Sequence, residues 1–253
     1  MELDGLGTGE ISEALATAKE FASRFKRKGV VGIVFLGAIA RGYFDKFSDI
    51  DVIIFKRRKH RFRLKYQAEI EYKGFRIDYE IVNYEDSARS EWDMEKRWAF
   101  SNALIYYDPE SKIRQLISDK VPLKSKERKW MIIEGMIQSE WYCNIVSESW
   151  VYRGDVVSAH YSINAALEEL LNAVFAINKE LFPPKKWRIR QSFHLRWLPK
   201  EFRAKLEQIM QVKALSTKEL KRRRAALNYL WEQVLPRAEE EVGMRFGEFK
   251  TMV

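Results

Sequence analysis

Two aspartates, Asp49 and Asp51, stand two positions apart at the start of an apolar run. In a β-strand, residues i and i+2 point to the same face, so the two carboxylates would lie roughly 6–7 Å apart on one side. Carboxylate oxygens are the ligands that Mg²⁺ prefers, together with substrate phosphates. The pair predicts a site for one or two divalent cations, although two acids at a strand start are also typical of a solvated edge.

A turn rich in small residues precedes this pair, with the sequence GAIARG at 37–42. Gly37 ends the apolar run VVGIVFLG, and Ala38 and Gly42 leave room for a ligand to approach the backbone. A helix that begins here offers unpaired N–H groups and the positive end of its dipole to a phosphate. Arg41 adds a positive charge, so the turn predicts a phosphate-binding site.

A third carboxylate is expected from the segment GFRIDYEIV, the second strand of a hairpin that turns at Gly74. Asp78 and Glu80 share one face of that strand, and its apolar residues share the other. Either acid would lie on a strand beside Asp49 and Asp51. We prefer Asp78 as the third metal ligand.

The elements that must position these residues form an α+β chain of two domains. The N-terminal domain, residues 1–110, reads as a small mixed sheet with helices, and residues 124–253 read as an all-α helical bundle. Asp155 is expected to cap a helix of the bundle, and Pro183 is expected to end that helix. The predicted helices are 10–28, 126–152, 156–182, 199–212 and 216–242, and the predicted strands are 30–37, 49–55 and a hairpin over 63–82.

The composition favours an anionic ligand. The chain has 253 residues and a net charge of +9, with a pI near 9.4, and such a balance attracts nucleotides or nucleic acid. Cys143 is the only cysteine, which excludes an internal disulfide and suits a reducing compartment. No apolar run approaches the ~20 residues of a membrane span, and the start of the chain lacks the regions of a signal peptide. We therefore expect a cytoplasmic protein without a membrane partner.

The order of these features resembles the DNA polymerase β-like nucleotidyltransferase superfamily. A strand, a small-residue turn with an arginine, Ser-Asp-Ile-Asp, an apolar strand and a later acidic strand follow one another over residues 31–83. The chain looks most like the branch of kanamycin nucleotidyltransferase, which carries a C-terminal helical bundle. The resemblance implies that an NMP group passes from a nucleoside triphosphate, expected to be ATP, to an acceptor hydroxyl, with Mg²⁺ as the cofactor. It implies catalytic and metal-binding roles for Asp49, Asp51 and Asp78, and nucleotide binding by Gly37, Ala38, Arg41, Gly42 and Ser48.

One position departs from the family pattern, because its Gly-Ser is Gly37-Ala38 here. The missing hydroxyl removes one hydrogen bond to a phosphate, worth about 0.5–3 kcal/mol. The departure leaves open an alternative, an attenuated nucleotide-binding or antitoxin-like regulatory protein.

The resemblance also implies a general base on the first helix of the bundle, where the chain offers Glu134 and Glu140. We prefer Glu140, since it shares a face with apolar residues and burial would raise its pKa. The acceptor is a small molecule, a protein or an RNA end, and the basic chain makes a polycationic drug a poor substrate. A homodimer is compatible with the sequence.

Three further patterns each have two interpretations. Arg153 and His160 resemble the Arg-x(4–6)-His of HEPN ribonucleases, although a helix cap and a packed histidine explain the same residues. The basic runs at 56–63 and 218–224 could contact nucleic acid phosphates or form a solvated face.

Overall fold

The structure is a computed structural model that describes residues 8–62, 65–249 and 251. Residues 1–7, which contribute to the prediction of no signal peptide, lie outside the described residues. So do Arg63 and Leu64, at the start of the predicted hairpin and at the end of the first basic run. The chain divides into two compact units, Met1–Pro122 and Leu123–Val253.

The first unit is built on a five-stranded mixed sheet with the strand order β3-β4-β2-β1-β5. The β2–β4 pair is parallel, and the other three pairs are antiparallel. The predicted apolar runs and hairpin all form strands, and a short fifth strand at the sheet edge was not predicted. The strands are β1 Val30–Phe35, β2 Ile50–Lys56, β3 Gln67–Tyr72, β4 Phe75–Asn83 and β5 Leu104–Tyr107.

Helices cover both faces of this sheet. The first helix packs its alanines and phenylalanines against one face, where β1, β2 and β4 contribute apolar side chains such as Ile33, Val52 and Ile77. The second face packs Val34 and Phe55 against the later helices of the unit. The helices are α1 Thr8–Ser23, α2 Gly37–Ala40, α3 Tyr84–Arg89, α4 Met94–Phe100 and α5 Lys112–Lys120.

The second unit is helical throughout its described elements. A 28-residue helical run opens it, in which a π-helical turn over Trp141–Val146 joins two α-helices without a break. The α-helices are α6 Ser125–Glu140, α7 Ser147–Tyr152, α8 Val156–Ile177, α9 Lys185–Ser192, α10 Phe202–Met210, α11 Thr217–Val242 and α12 Phe246–Phe249. A mixed sheet with helices followed by a helical region confirms the predicted fold class.

Two predicted helix ends are wrong by several residues. The first helix ends at Ser23 rather than near residue 28, because the chain must turn into β1 and does so at Gly29, with φ at +90°. The long bundle helix ends at Ile177, before Pro183. There the side chain of Asn178 donates to the carbonyl oxygens of Val174 and Trp197, which caps the helix from inside the fold.

Candidate active site

Asp51 and Asp78 are register partners on the parallel strands β2 and β4. Adjacent strands lie about 4.8 Å apart, and register partners present their side chains to the same face, so the two carboxylates are neighbours. Both residues are half-buried. Asp49 immediately precedes β2 and is also half-buried. The structure thus places the three acids that the sequence analysis selected on, or directly before, two neighbouring strands.

The pKa of Asp78 reflects its burial and the negative charges around it. Burial raises the pKa of the Asp78 carboxyl above its ordinary value of 3.8, and the negative charges of Asp49 and Glu69 raise it further. Asp49 is therefore close enough to Asp78 to repel its ionised form. Glu80, the other candidate for the third acid, is exposed and pairs in register with Ile53, two residues beyond Asp51.

Glu69 is an acidic neighbour of the site that the sequence analysis missed. It is the register partner of Asp78 on the antiparallel strand β3. A signal for it was present, since the two-residue turn Lys73–Gly74, with both φ values positive, fixes the register of the hairpin. Counting back from Tyr72 opposite Phe75 places Glu69 opposite Asp78.

Gly37 lies directly against the carboxylate of Asp51. Its φ is +64°, and a β-carbon built on it would lie 1.9 Å from Oδ2 of Asp51. The neighbouring N–H of Leu36 donates to the backbone oxygen of Asp51 at 3.1 Å. Position 37 requires glycine for two reasons. Its backbone is left-handed, and the Asp51 carboxylate occupies the space that a β-carbon would need.

The rest of the small-residue turn forms the four-residue helix α2, with Ala38 buried in the core of the sheet unit. The carbonyl oxygen of Ala38 accepts from the N–H groups of Arg41 and Tyr43. Gly42 has φ at +80°, and a β-carbon there would meet nothing within 4 Å. The backbone of the turn is thus held by two hydrogen bonds at Ala38, and it leaves space for a ligand at Gly42.

Arg41 is held by Trp98 of α4. Its guanidinium carbon lies 3.3 Å from the centre of the indole ring, and its Nη2 donates to the carbonyl oxygen of Trp98 at 2.7 Å. Burial lowers the pKa of Arg41 to about 10, so the side chain is still cationic at neutral pH. A guanidinium stacked on a ring keeps further N–H groups in its plane for an anion.

Ser48 closes the loop that leads to Asp49. Its hydroxyl donates to Oδ1 of Asp45 at 3.0 Å and accepts from the N–H of Asp45. The same Oδ1 accepts from the N–H of Phe47. In this structure the Ser48 hydroxyl therefore shapes the loop, and its predicted contact with a nucleotide stays a prediction.

The three acids suit a hard cation in chemistry, and Asp78 is repelled by neighbouring charges that a cation would offset. The side chains are not gathered as a finished coordination shell, however. Among the described residues, no three His, Cys, Asp or Glu side chains are grouped so as to hold a metal ion. The fit to a divalent cation thus rests on the donor set and its strand positions.

The two candidate bases, Glu134 and Glu140, lie on α6 in the second unit, and both are half-buried. Glu134 lies near Glu169 of α8, whose pKa is raised mainly by burial and then by the Glu134 charge. Glu140 lines a surface groove of about 400 Å³ with Ile137 and Trp141. The choice of Glu140 as a base stays a prediction.

The ribonuclease interpretation of Arg153 and His160 is wrong. His160 is buried, and its two ring nitrogens contact Nη1 of Arg223 at 3.0 Å and the carbonyl oxygen of Ser216 at 3.2 Å. Arg153 is exposed and donates to the hydroxyl of Ser149. His160 is thus a packed histidine, and its ring cannot reach a ribose hydroxyl. Asp155 does cap α8, since its side chain accepts from the N–H of Ser158.

Many cations of the two basic runs are held by groups within the chain. In the first run, Arg57 pairs with Glu110 and Arg58 with Asp86. In the second run, Arg222 pairs with Glu219, Arg224 pairs with Glu148, and Arg223 is only 1% exposed. These contacts weaken the interpretation of either run as a phosphate-binding surface.

Comparison with known proteins supports the fold and the class of domain. Residues 17–139, just under half of the chain, match the family described as "Nucleotidyltransferase domain". The crystal structure of a nucleotidyltransferase-like protein from Exiguobacterium sibiricum 255-15 has a similar fold, with a TM-score of 0.51 and 12% sequence identity. The alignment covers 92% of this chain and 78% of that one. No curated protein matches the chain significantly.

The matched region supports an enzyme of the nucleotidyltransferase class, whose members transfer nucleoside monophosphate groups. The predicted resemblance to the polymerase β-like superfamily is confirmed at this level, and the kanamycin nucleotidyltransferase branch stays a prediction. In the described part of the chain, no helix has the length and apolar character needed to cross a bilayer.

Proposed function

We propose that the chain transfers a nucleoside monophosphate group from a nucleoside triphosphate, ATP in the simplest case, to an acceptor hydroxyl in a reaction that depends on Mg²⁺. The observation that supports it most is the register pairing of Asp51 with Asp78, with Asp49 close enough to raise the pKa of Asp78. The half-buried carboxylate of Asp78, beside the negative charges of Asp49 and Glu69, is costly to keep ionised without a counter-charge. A site of this kind is suited to cations and to the phosphates that they carry.

Asp49, Asp51 and Asp78 would hold the cation. When bound, Mg²⁺ would polarise the α-phosphate and offset the charge that develops on the leaving pyrophosphate. Direct binding of the cation tests this role independently of activity.

The chain's own groups supply the binding of the triphosphate. The cation of Arg41 and the open backbone at Gly42 are consecutive residues directly after α2. A stacked, partly buried arginine attracts a phosphate more strongly than a solvated one, because less water screens the charge. Trp98 thus acts as a positioning residue, since it fixes where the Arg41 charge lies.

In the reaction, an acceptor oxygen forms a bond to the α-phosphorus while the bond to the bridging oxygen of pyrophosphate breaks. The acceptor hydroxyl loses one proton, and a carboxylate base takes it up. Glu140 is the proposed base. If this role is correct, Glu140→Gln lowers kcat with little change in the affinity for triphosphate, and the loss diminishes as pH rises.

The acceptor is proposed to be an anionic or neutral small molecule, a protein or an RNA end. A net charge of +9 disfavours a polycationic acceptor such as an aminoglycoside.

The test is release of pyrophosphate from each of the four triphosphates with Mg²⁺, over a panel of those acceptor classes. We expect release with at least one acceptor, its loss in EDTA, and its loss in Asp49→Asn and Asp51→Asn. Retained release in either variant would contradict the proposal. Binding of ATP without turnover of any acceptor would instead favour the attenuated regulatory protein, for which Ala38 is the direct support.

A further inference from the structure

A stripe of apolar side chains runs along the exposed side of the long helical run Ser125–Tyr152. We call it the apolar stripe, and it consists of Trp130, Ile137, Trp141, Ile145 and Tyr152. Successive members are 7, 4, 4 and 7 residues apart, so they share one side of a helix. The opposite side of the run packs inward, through residues such as Met136 and Cys143. Large apolar residues in a row on an outer face mark an interaction surface.

The π-helical turn at Trp141–Val146 lies in the middle of this stripe. An i→i+5 turn adds one residue to the helix and rotates everything that follows it. In a helix with a strict seven-residue repeat, positions 144 and 151 would continue the stripe. The exposed apolar residues stand one position later, at Ile145 and Tyr152, as the inserted residue requires. The turn thus keeps the second half of the stripe aligned with the first.

The stripe is symmetric about Trp141. Isoleucines stand four residues before and after it, at Ile137 and Ile145, and aromatic residues stand eleven residues before and after it, at Trp130 and Tyr152. From these positions we infer that the stripe pairs with the same stripe of a second copy of this chain, with the two helices antiparallel and Trp141 at the two-fold axis. Trp130 of each copy then lies against Tyr152 of the other, and Ile137 lies against Ile145.

A symmetric pair of this kind is the commonest form of assembly, because one self-complementary patch serves both copies. Ile137, Trp141 and Ile145 line a groove of about 400 Å³ together with Glu140. A dimer of this kind covers the proposed base, so the monomer would be the form active in transfer.

The available area is sufficient for a weak dimer. Trp130, Trp141, Ile145 and Tyr152 are between 42% and 93% exposed. Covering them removes roughly 500 Å² from each copy, on the basis of about 150–250 Å² for each large side chain. The total of about 1,000 Å² is near the lower bound of specific interfaces, so the dimer should dissociate in the micromolar range.

The charges within the stripe permit this register. Glu134 and Glu148, seven residues before and after Trp141, would meet across the pair. Arg224 of α11 already forms an ion pair with Glu148. Each meeting point therefore carries the cation of Arg224 among the carboxylates of Glu134, Glu148 and Glu169, which lowers the repulsion without removing it.

Pairs of cysteines test the register directly in the full-length protein. Trp130→Cys and Tyr152→Cys, each in a Cys143→Ser background, should give no cross-linked dimer alone and a disulfide-linked dimer when the two variants are mixed and oxidised. Trp141→Cys should cross-link to itself. Self-linking of Trp130→Cys would mean a parallel pair and would overturn the inferred arrangement.

Sedimentation of the unmodified chain tests the association itself. We expect a monomer–dimer equilibrium with Kd of about 10 µM, which Trp141→Glu shifts to monomer by at least about 30-fold. Tyr161→Glu is the matched control, since Tyr161 is an aromatic residue on α8 outside the stripe and is more exposed than Trp141; circular dichroism verifies that both variants fold. A chain that stays monomeric to about 200 µM, whether or not it binds another protein, overturns the inference, as does equal weakening by the control.

Discussion

Gly37 and Asp51 are in direct contact, and the space that a β-carbon of residue 37 would need is filled by Oδ2 of Asp51 at 1.9 Å. The small-residue turn at 37–42 and the acidic strand β2 are therefore one structural unit. A change in the turn moves the carboxylate, and the sequence offers two glycines with which to separate the effects.

Gly37→Ala should reduce nucleotidyl transfer by about 100-fold or more, because a misplacement of about 1 Å at a catalytic group has this cost. Gly74→Ala, in the hairpin turn, is the matched control. It imposes the same left-handed strain, about 1–2 kcal/mol, but its β-carbon meets nothing within 4 Å. Both variants should lower Tm, and only Gly37→Ala should abolish activity. Equal activity in the two would show that the Asp51 contact has no role.

The position that departs from the family pattern gives a second prediction. Ala38→Ser restores a hydroxyl at the turn and should tighten binding of the triphosphate by about two- to tenfold, the value of one hydrogen bond of 0.5–1.5 kcal/mol. Ala40→Ser, in the same short helix, is the control and should leave the affinity unchanged. Fluorescence titration with a labelled triphosphate measures both. If Ala38→Ser binds no better than the unmodified chain, the phosphate does not lie at this position.

The raised pKa of Asp78 predicts a dependence of stability on pH. Burial, Asp49 and Glu69 make its ionised form less stable in the folded chain than in the unfolded one. This loss of folding free energy is absent below pH 3.8, the ordinary pKa. It grows as pH rises between the unfolded and the folded pKa, and it is fully present above the folded pKa. In EDTA, Asp78→Asn should therefore raise Tm at pH 7 and have little effect at pH 3.

The control for this measurement is Glu80→Gln, on the same strand but exposed. It should leave Tm nearly unchanged at both pH values. A lower Tm for Asp78→Asn at pH 7 would mean that the carboxylate is stabilised by its surroundings, contrary to the crowding described above.

Cys143 gives a probe of the second unit. It is buried, and burial raises the pKa of its thiol to about 12. Thiolate is the reactive form, so a thiol reagent at pH 8 should label the native chain at a rate set by opening of the helical unit. Labelling should follow the denaturation curve in urea. Immediate labelling of the native chain would contradict the burial of this residue.

Much of the site was predictable because its determinants are local. The alternation of Asp49 and Asp51 with apolar residues, and the same pattern around Asp78, assign each side chain to a face of its strand. Which strands pair is a matter of topology, and the order strand, turn, strand, hairpin allows few arrangements.

The parts that were missed depend on contacts between distant residues. The stacking of Arg41 on Trp98 joins residues 57 positions apart, and no local pattern marks it. Arg223 was assigned to a basic run, yet it is buried against His160, the oxygen of Ile209 and Asn164. A charge is buried only when the fold supplies enough hydrogen-bond acceptors, which the sequence of one helix does not reveal.

Binding of a divalent cation is the most direct test of the central claim, that Asp49, Asp51 and Asp78 act together on a metal-bound triphosphate. Calorimetric titration of Mn²⁺, in the presence of a non-hydrolysable triphosphate, should show binding to the unmodified chain and to Glu80→Gln with similar affinity. Asp78→Asn should weaken that binding by at least about tenfold, or 1.4 kcal/mol. Equal binding by Asp78→Asn and the unmodified chain would contradict the claim, and so would a loss confined to Glu80→Gln.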